Sequence, residues 1–471
     1  MLAASQLERV NAALQRPVDG AWLAALRVLY GAALCVSMLR FIVYGWIDRL
    51  FIEPSFRFTY YGFGWVEMLP GPQLHALFYA LAALAACISI GFCFRAAALL
   101  FALGLSYVQL LDVSTYLNHY YLAALVAWLL ALSPAHRVAS VDAWLARRRS
   151  SAAPRARVAA GWLYLFRFQV GVVYTFAGLA KAQSDWLVHG QPLRIWLGAR
   201  TDLPVLGPLF MIDWVPLAMS WAGFLFDTTI VFWLSMKRTR LAAYGVVVLF
   251  HLLTRLLFPI GMFPVIMIIA ALVFFEPSWP RVLWRRLSRR GSAAPVLAEP
   301  PPSGPLPRLG PPQVAIFAVA ACYCVIQLAL PLRAHLYGGN VLWHEQGMRF
   351  AWRVMLRAKG GSTELAVREV RSGREVFVSP RAYLTGMQEA EMSSQPDLIL
   401  QLAHHVRDEL ERRGRGPVEV RAITHVSLNG RRAAPLIDPT IDLARVRDSS
   451  APAPWILPAP SEPPPHTRPV L

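Results

Sequence analysis

The chain has 471 residues, of which 56% are hydrophobic and only 16% are charged. Soluble domains average about 45–50% apolar and about 25% charged residues, so this composition excludes a disordered chain and indicates a membrane protein. Lys and Arg exceed Asp and Glu to give a net charge of +18, but the cations stand in short runs between apolar stretches. That arrangement is typical of cytoplasmic loops and argues against nucleic acid as a partner.

Nine apolar stretches have the composition of membrane-spanning helices, which need about 20 mostly apolar residues. The break between the seventh and the eighth is inferred only from Pro259 and Gly261. The predicted helices cover residues 22–44, 73–93, 96–112, 119–134, 161–180, 215–235, 241–258, 260–275 and 313–331. The predicted fold class is therefore a polytopic α-helical membrane protein.

Basic residues indicate the orientation of these helices, because Lys and Arg concentrate in cytoplasmic loops. They fall near the N-terminus and after the second, fourth, sixth and eighth predicted helices, which a nine-helix chain places on one side. The main ones are Arg9, Arg16, Arg95, Arg137, Arg147, Arg148, Arg149, Arg155, Arg157, Lys237, Arg238, Arg240, Arg281, Arg285, Arg286, Arg289, Arg290 and Arg308. The sequence predicts a multi-pass protein of the inner membrane, surrounded by the lipid bilayer, with residues 1–21 in the cytoplasm and the C-terminus outside it.

The composition after the ninth helix becomes mixed polar and apolar over residues 332–448. Alternation with period two over residues 363–370 and 375–378, separated by a turn, predicts a β-hairpin. Helical spacing over residues 396–413 predicts a helix, and residues 418–428 predict another strand. We therefore expect a small extracytoplasmic α+β domain.

Two Pro-rich segments flank these regions. Within the transmembrane region, residues 22–331, the stretch 291–312 predicts a cytoplasmic linker. The end of the chain, residues 449–471, predicts a disordered tail.

Ionisable residues at or near membrane depth are expensive and usually functional. The first such group lies in the turn between the third and fourth predicted helices and contains Asp112, Asn118 and His119. Two interpretations of this turn have equal weight on spacing alone. It is either a functional site or a polar turn in which Asn118 caps the fourth helix.

The second group follows the fifth predicted helix and contains Lys181, Asp185 and Trp186. Position alone favours a lysine that snorkels to the interface beside an interfacial Trp. Against this, the other cations concentrate on the inner side, and desolvation disfavours the charged form of a lysine. A neutral amine is able to act as a general base.

The third group is His251 with Arg255, one helical turn apart in the seventh predicted helix. A histidine with its hydrogen bonds satisfied inside the bundle explains this pair as well as a functional site does. One His beside an Arg is a poor ligand set for a metal ion. We therefore predict no metal.

Many short motifs, in this order and spacing, resemble the vitamin K-dependent γ-glutamyl carboxylase family, within the horizontally transferred transmembrane domain superfamily. The resemblance is spread over most of the chain. The matching residues are 16–19, 93–95, 111–112, 118–122, 140–142, 177–186, 250–251, 258–263, 276–281, 346–352 and 437–439.

The resemblance implies an enzyme that oxidises reduced vitamin K, here a menaquinol-type hydroquinone, with O₂ to the epoxide. In that family the oxidation drives removal of a γ-proton from a glutamate of a peptide or protein, and CO₂ adds to the resulting carbanion. The resemblance implies that Lys181 is the base that deprotonates the hydroquinone. It also implies that His119, with Asn118 beside it, acts near the carbanion and CO₂ step.

Further residues match supporting positions of the family. Asp185 and Trp186 match the motif that flanks the lysine, and His251 matches a histidine of the family's bundle. Trp352 matches an aromatic residue of the stretch that, in the family, holds the glutamyl substrate. Arg357 stands where the animal enzymes carry a histidine. We place Asp112, Arg255 and Arg357 among the supporting residues as well.

Two functions from different classes fit these observations. The first is a quinone-dependent carboxylase or epoxidase, favoured by Lys181 and His119. The second is a non-carboxylating member of the superfamily that acts in maturation or export of a small peptide. The sequence ends soon after Trp455, whereas the animal enzymes continue with a long β-rich lumenal region, and this favours the second function.

Overall fold

A computed structural model describes residues 2–149, 156–288 and 310–466. Parts of the predictions above lie outside the described residues: Arg155, Arg289, Arg290 and Arg308, most of the predicted linker, and the last five residues of the predicted tail.

Helices dominate the described part of the chain, and the longer ones coincide with the predicted apolar stretches. The helices are α1 Leu2–Gln15, α2 Ala21–Val43, α3 Gly71–Ile90, α4 Phe94–Leu110, α5 Asn118–Leu132, α6 Val141–Arg149, α7 Ala160–Ala180, α8 Ser184–Leu187, α9 Leu193–Gly198, α10 Gly207–Phe210, α11 Val215–Ser235, α12 Arg240–Leu257, α13 Phe263–Ala271, α14 Trp279–Leu287, α15 Pro311–Leu332, α16 Val341–His344, α17 Gly386–Met392 and α18 Pro396–Arg412. The strands are β1 Pro17–Asp19, β2 Arg157–Ala159, β3 Lys359–Glu369, β4 Glu375–Val378 and β5 Val418–Leu428.

Among the described residues, six helices are long and apolar enough to cross a membrane, namely α2, α3, α7, α11, α12 and the helix over residues 313–336. The chain is thus a helical multi-pass membrane protein with about six to seven candidate spans. Helices α4 and α5 are apolar but shorter. The predicted count of nine spans stays a prediction.

The eighth predicted span differs most from its prediction. Pro259 and Gly261, which has a φ of +59°, separate α12 from α13 as predicted. However, Phe263–Phe274 is only about 18 Å long at 1.5 Å per residue, against a hydrocarbon core of about 30 Å. The chain then bends by 102° into α14, so α13 and α14 form a broken span or a re-entrant segment.

The core of the bundle consists mainly of apolar side chains from α2, α3, α4, α5, α7, α11, α12 and α13. At one end of the bundle, β1 pairs antiparallel with β2. There Asp19 accepts a hydrogen bond from the backbone N–H of Ala21 at 2.9 Å and pairs with Arg281 of α14 at 2.8 Å. These contacts fix the start of α2 against α14.

The C-terminal region contains a three-stranded antiparallel sheet of order β4-β3-β5. Helix α18 packs on it because Leu398, Leu402 and Val406, which share one helical face, are fully buried. The predicted hairpin is present as β3 and β4. The α+β character of this region follows from these elements.

The Pro-rich end of the chain packs on this region over the described residues, in contrast to the predicted disorder. Ile456 forms a bridge with Ile437, and the indole N–H of Trp343 donates to the carbonyl of Leu457 at 2.8 Å. Trp455 lies against the same core. Composition indicated disorder because Pro dominates, but a few large apolar residues bury enough surface to fix the segment.

Candidate functional site

Lys181 lies at the end of α7 and points into the bundle. Its Nζ donates a hydrogen bond of 2.7 Å to Asp227 Oδ2 in α11 and one of 3.2 Å to the carbonyl of Ala177. The Trp186 ring centroid is 5.3 Å from Nζ. The Lys181 side chain is only 7% exposed, so it does not snorkel to the interface. The snorkelling interpretation of this lysine is therefore wrong.

The close approach of α7 and α11 brings this pair together. A Cβ at Gly178 would lie 2.6 Å from Cγ2 and 2.8 Å from the backbone nitrogen of Thr228, so only glycine permits this helix separation. Trp186 is fixed beside the pair because its indole N–H donates to the carbonyl of Ser220 at 2.7 Å. The helices themselves thus position Lys181.

His251 and His119 both lie inside the bundle, near the same aromatic ring. His251 Nε2 is 3.0 Å from the Tyr174 hydroxyl, while its Nδ1 has no hydrogen-bond partner among the described residues. The Phe263 ring centroid is 5.9 Å from that of His251 and 6.4 Å from that of His119. Both histidines are buried. Arg255 donates to the carbonyl of Gly261 at 3.0 Å.

Asn118 does not cap α5. The capping position is Leu117, and Asn118 is the first helical residue. Its Oδ1 accepts a hydrogen bond of 3.0 Å from the Tyr116 hydroxyl instead. The capping interpretation is wrong because the helix begins one residue earlier than that interpretation requires, so Asn118 is not at the capping position.

Asp112 connects the bundle to the C-terminal region. One carboxylate oxygen accepts from the backbone N–H of Ser114 and the other from the side-chain amide of Gln388 in α17, both at 2.8 Å. Burial raises the pKa of Asp112, and these hydrogen bonds oppose the rise. Its contacts are those of a structural residue.

Asp185 also connects the bundle to the C-terminal region, and it does so with more hydrogen bonds than Asp112. Arg431 donates to both carboxylate oxygens at 2.6 and 2.7 Å, and the Asn429 amide donates at 2.8 Å. Burial acts to raise the pKa of Asp185, but the hydrogen bonds and charge of Arg431 with the amide of Asn429 outweigh it, so the pKa lies below its usual range. Although Asp185 is near Lys181 in sequence, it binds the C-terminal region.

A cavity of about 710 Å³ lies between the bundle and the C-terminal region. Asn118 and Ile260 contribute to its wall on the bundle side. Gly261, next to Ile260, is close to His119, because a Cβ there would be 3.4 Å from His119 Nε2. The ionisable side chains that line the cavity are Arg200, Arg349, Arg353, Arg357, Glu345 and Glu391.

The arginines of this cavity differ in what they bind. Arg349 binds Asp397 at 2.5 Å, and Arg357 pairs with Glu345. Arg353 has no ion pair or hydrogen bond among the described residues, and its Nε is buried without a partner. Burial lowers the pKa of Arg353. A partly buried guanidinium whose Nε has no partner suits a carboxylate or another planar anion.

Trp352 lies in a strained segment beside this cavity. Phe350, Trp352 and Met355 have φ values of +63°, +55° and +54°, which cost roughly 1–3 kcal/mol each for such residues. The Trp352 ring stacks on Tyr121 with centroids 5.0 Å apart, and its buried indole N–H has no partner among the described residues. Strain of this kind concentrates at functional sites.

A second cavity, of about 190 Å³, has mostly apolar walls that include Phe41, Phe51 and Phe78. It adjoins the arginine-lined cavity, because Tyr116 and Leu117 line both. Its walls suit an aromatic ring system or a prenyl tail. Neither Lys181 nor His119 lines either of these two cavities.

The structure therefore places most of the predicted residues in three places: Lys181, Trp186, His119 and His251 in the bundle, Asn118 and Arg357 at the arginine-lined cavity with Trp352 beside it, and Asp112 with Asp185 at the contact with the C-terminal region. No group of three His, Cys, Asp or Glu residues suitable for a metal ion occurs in the described part of the chain.

Sequence reasoning missed Asp227 and Arg353. A signal for Asp227 existed, because it is the lone acidic residue of the apolar stretch 215–235. Arg353 had no such signal, since it lies in a polar segment with many arginines. Its importance appears only from its burial and its missing partner.

Two family models match the chain. The HTTM domain model matches residues 15–279, and the model of the lumenal domain of vitamin K-dependent gamma-carboxylase matches residues 312–462. The first match alone covers more than half of the 471 residues. No solved structure matches the chain.

Proposed function

The chain belongs to the vitamin K-dependent gamma-carboxylase family, and from this membership we propose that it oxidises a reduced, menaquinol-type vitamin K with O₂ to the epoxide and carboxylates glutamyl side chains with CO₂. The observation that carries the proposal is Lys181, which matches the family's base and is buried against Asp227 inside the bundle. A lysine at such depth is costly to keep unless it has a function.

Lys181 is the base in this proposal. Its Nζ takes the proton of the hydroquinone hydroxyl, for which the amine must be neutral. The apolar cavity with Phe41, Phe51 and Phe78 holds the tail of the quinone. When bound, the reduced quinone supplies the electrons that reduce O₂.

Arg353 binds the substrate glutamate in this proposal. The arginine-lined cavity opens between the bundle and the C-terminal region, and its free guanidinium is complementary to the γ-carboxylate. His119 lies below Gly261 at the bundle side of the cavity, so it serves the carbanion and CO₂ step from that side.

The proposed topology is nine spans in the inner membrane, with a cytoplasmic N-terminus and an extracytoplasmic C-terminal domain. The one-sided distribution of cations supports it. Single cysteines at Ser362 and at Arg148, in a variant with the native cysteines replaced by serine, test it in intact cells. An impermeant maleimide should label only the cysteine at position 362; equal labelling of both would exclude nine spans.

The activity is tested with the purified protein in lipid nanodiscs supplied with reduced menaquinone, O₂ and labelled bicarbonate, with and without a glutamyl peptide. We expect epoxide in both cases and label in the peptide. Arg353→Gln should raise KM for the peptide without lowering epoxide formation in its absence. Epoxide without label would restrict the function to quinone oxygenation, and neither product would favour peptide maturation or export without carboxylation.

A further inference from the structure

Asp227 is a carboxylate inside an apolar helix, and Lys181 is its charged partner. The carboxylate side chain is 9% exposed and lies 2.7 Å from Lys181 Nζ. No second cation contacts it among the described residues. Asp227 lies near the middle of α11, where an ionised Asp in a membrane helix costs about 2.5–3.5 kcal/mol, and Lys181 contacts it from the end of α7, so the pair is a candidate functional site.

The other titratable groups around the pair are engaged elsewhere. On α7, the Tyr174 hydroxyl contacts His251 Nε2 of α12 at 3.0 Å. On α8, the Asp185 carboxylate is held by Arg431 at 2.6 Å. Trp186, also on α8, presents its ring to Nζ and donates its own N–H to a backbone carbonyl. Lys181 and Asp227 therefore exchange protons mainly with one another.

This isolation bears on how Lys181 is able to act as a base. An ionised Asp227 would hold the lysine as ammonium, which has no lone pair to accept a proton. In surroundings that solvate charge poorly, transfer of one proton from Nζ to Oδ2 removes both charges and keeps the hydrogen bond. The same two atoms then form a neutral pair, a carboxylic acid donating to an amine.

We propose that Asp227 is the positioning residue of Lys181 and holds the shared proton on Oδ2 in the resting protein, so that Nζ is neutral. This inference rests on the proposed role of Lys181 as base. In the reaction, the hydrogen bond from Oδ2 to Nζ breaks and frees the amine lone pair. An N–H bond then forms at Nζ as the substrate O–H bond breaks, and the electron pair of that O–H bond stays on the substrate oxygen. Asp227 keeps its proton and accepts from the new ammonium through its carbonyl oxygen.

The proton state is measured without turnover, by infrared difference spectroscopy of the full-length protein in lipid at pH 7. Wild type minus Asp227→Asn should contain the C=O stretch of a protonated carboxylic acid, and Lys181→Ala minus Lys181→Ala/Asp227→Asn should contain it too. Asp213→Asn, whose carboxyl side chain is 94% exposed, is the matched control and should remove no such band. A band present only in the Lys181→Ala background would show an ion pair and overturn the proposal.

Kinetics provide the second arm. Asn at position 227 preserves a neutral partner of Nζ, so Asp227→Asn should leave the acidic limb of the pH profile for epoxide formation unmoved. Asp227→Ala lets the lysine side chain move and should lower the rate by roughly 10²-fold, the cost of about 1 Å of misplacement. An acidic limb that shifts to lower pH in Asp227→Asn would mean that the native carboxylate is ionised. If wild type forms no epoxide but the infrared band is present, the proposed function fails and the neutral pair stands.

Discussion

Two sets of buried polar groups in this protein differ in how completely they are paired. Where the bundle meets the C-terminal region, Asp112 and Asp185 accept hydrogen bonds on both carboxylate oxygens. Inside the bundle and at the arginine-lined cavity, His251 Nδ1 and Arg353 Nε have no partner among the described residues. Buried polar groups are normally paired, so His251 and Arg353 are candidates for chemistry, although other buried atoms such as Ser114 Oγ and Asp442 Oδ2 also have no partner among the described residues.

The two carboxylates nearest to Lys181, those of Asp185 and Asp227, have different partners. Asp185 is four residues away in sequence, yet it binds Arg431 and joins two parts of the molecule. Asp227 lies on another helix, yet it contacts the lysine. Substitutions on the two sides should therefore have different effects: loss of activity in the bundle and loss of stability at the contact between the two parts.

The largest effect is expected at Lys181. Lys181→Ala should reduce epoxide formation by about 10²–10⁴-fold, the usual contribution of a placed general base. Lys181→Arg should not restore it, because a guanidinium stays protonated at neutral pH. Rates are measured in nanodiscs against Lys237→Ala, a change of an exposed lysine. Near-normal epoxide formation by Lys181→Arg would show that position 181 needs only a positive charge and that Lys181 is not the base.

Asp185→Ala should instead destabilise the protein while the bundle keeps its geometry. Removing one partner of a buried pair costs about 3–5 kcal/mol, because Arg431 is left buried without its carboxylate. Thermal unfolding in detergent measures the loss, with Asp202→Ala, an exposed carboxylate, as control. A loss of stability no greater than that of the control would show that the contact between Asp185 and Arg431 does not stabilise the protein.

The stability that the Asp185–Arg431 pair contributes should change with pH in one direction. Since the folded-state pKa of Asp185 lies below its unfolded value of about 3.9, its stabilising effect is present above that pH. It is lost as the pH falls through the folded-state pKa. The difference between wild type and Asp185→Ala should therefore be constant near neutral pH and disappear in acid.

The sequence predicted the elements better than their contacts. Hydrophobic stretches located the helices, and Pro259 with Gly261 located the break before α13, because these signals are local. Local patterns do not report which residues meet across helices, so Asp185 was grouped with Lys181 and Asp227 was overlooked. The apolar content of α13 likewise predicted a full span, although the chain bends away after Phe274.

A smaller effect on activity is expected for His119→Ala inside the bundle. We expect carboxylation to fall about tenfold more than epoxide formation, the effect of one hydrogen bond of about 1.4 kcal/mol made only in that step. Both products are measured in one assay with the glutamyl peptide, and His119→Gln is the matched variant of similar size. An equal loss of both products would place His119 in the oxygenation step with Lys181.

The smallest effect is expected for Asp112→Asn, and its pH dependence should have the opposite sign to that of Asp185→Ala. Burial raises the folded-state pKa of Asp112 above about 3.9, so this carboxyl stabilises the fold at lower pH and the contribution is lost as the pH rises through the folded-state pKa. Asn keeps one of the two hydrogen bonds, to Ser114 or to Gln388, and carries no charge to bury.

At neutral pH, Asp112→Asn loses one hydrogen bond, which is worth about 1 kcal/mol, but it no longer buries a charge. The two effects largely cancel, so the free energy of unfolding of Asp112→Asn should lie within about 1 kcal/mol of that of wild type. On going from acid to neutral pH, it should gain stability relative to wild type, whereas Asp185→Ala should lose it. Chemical unfolding of both variants across this pH range measures the two slopes. If the two slopes had the same sign, the pKa values of Asp112 and Asp185 would be shifted in the same direction. Burial would then not dominate at Asp112 while hydrogen-bond partners dominate at Asp185.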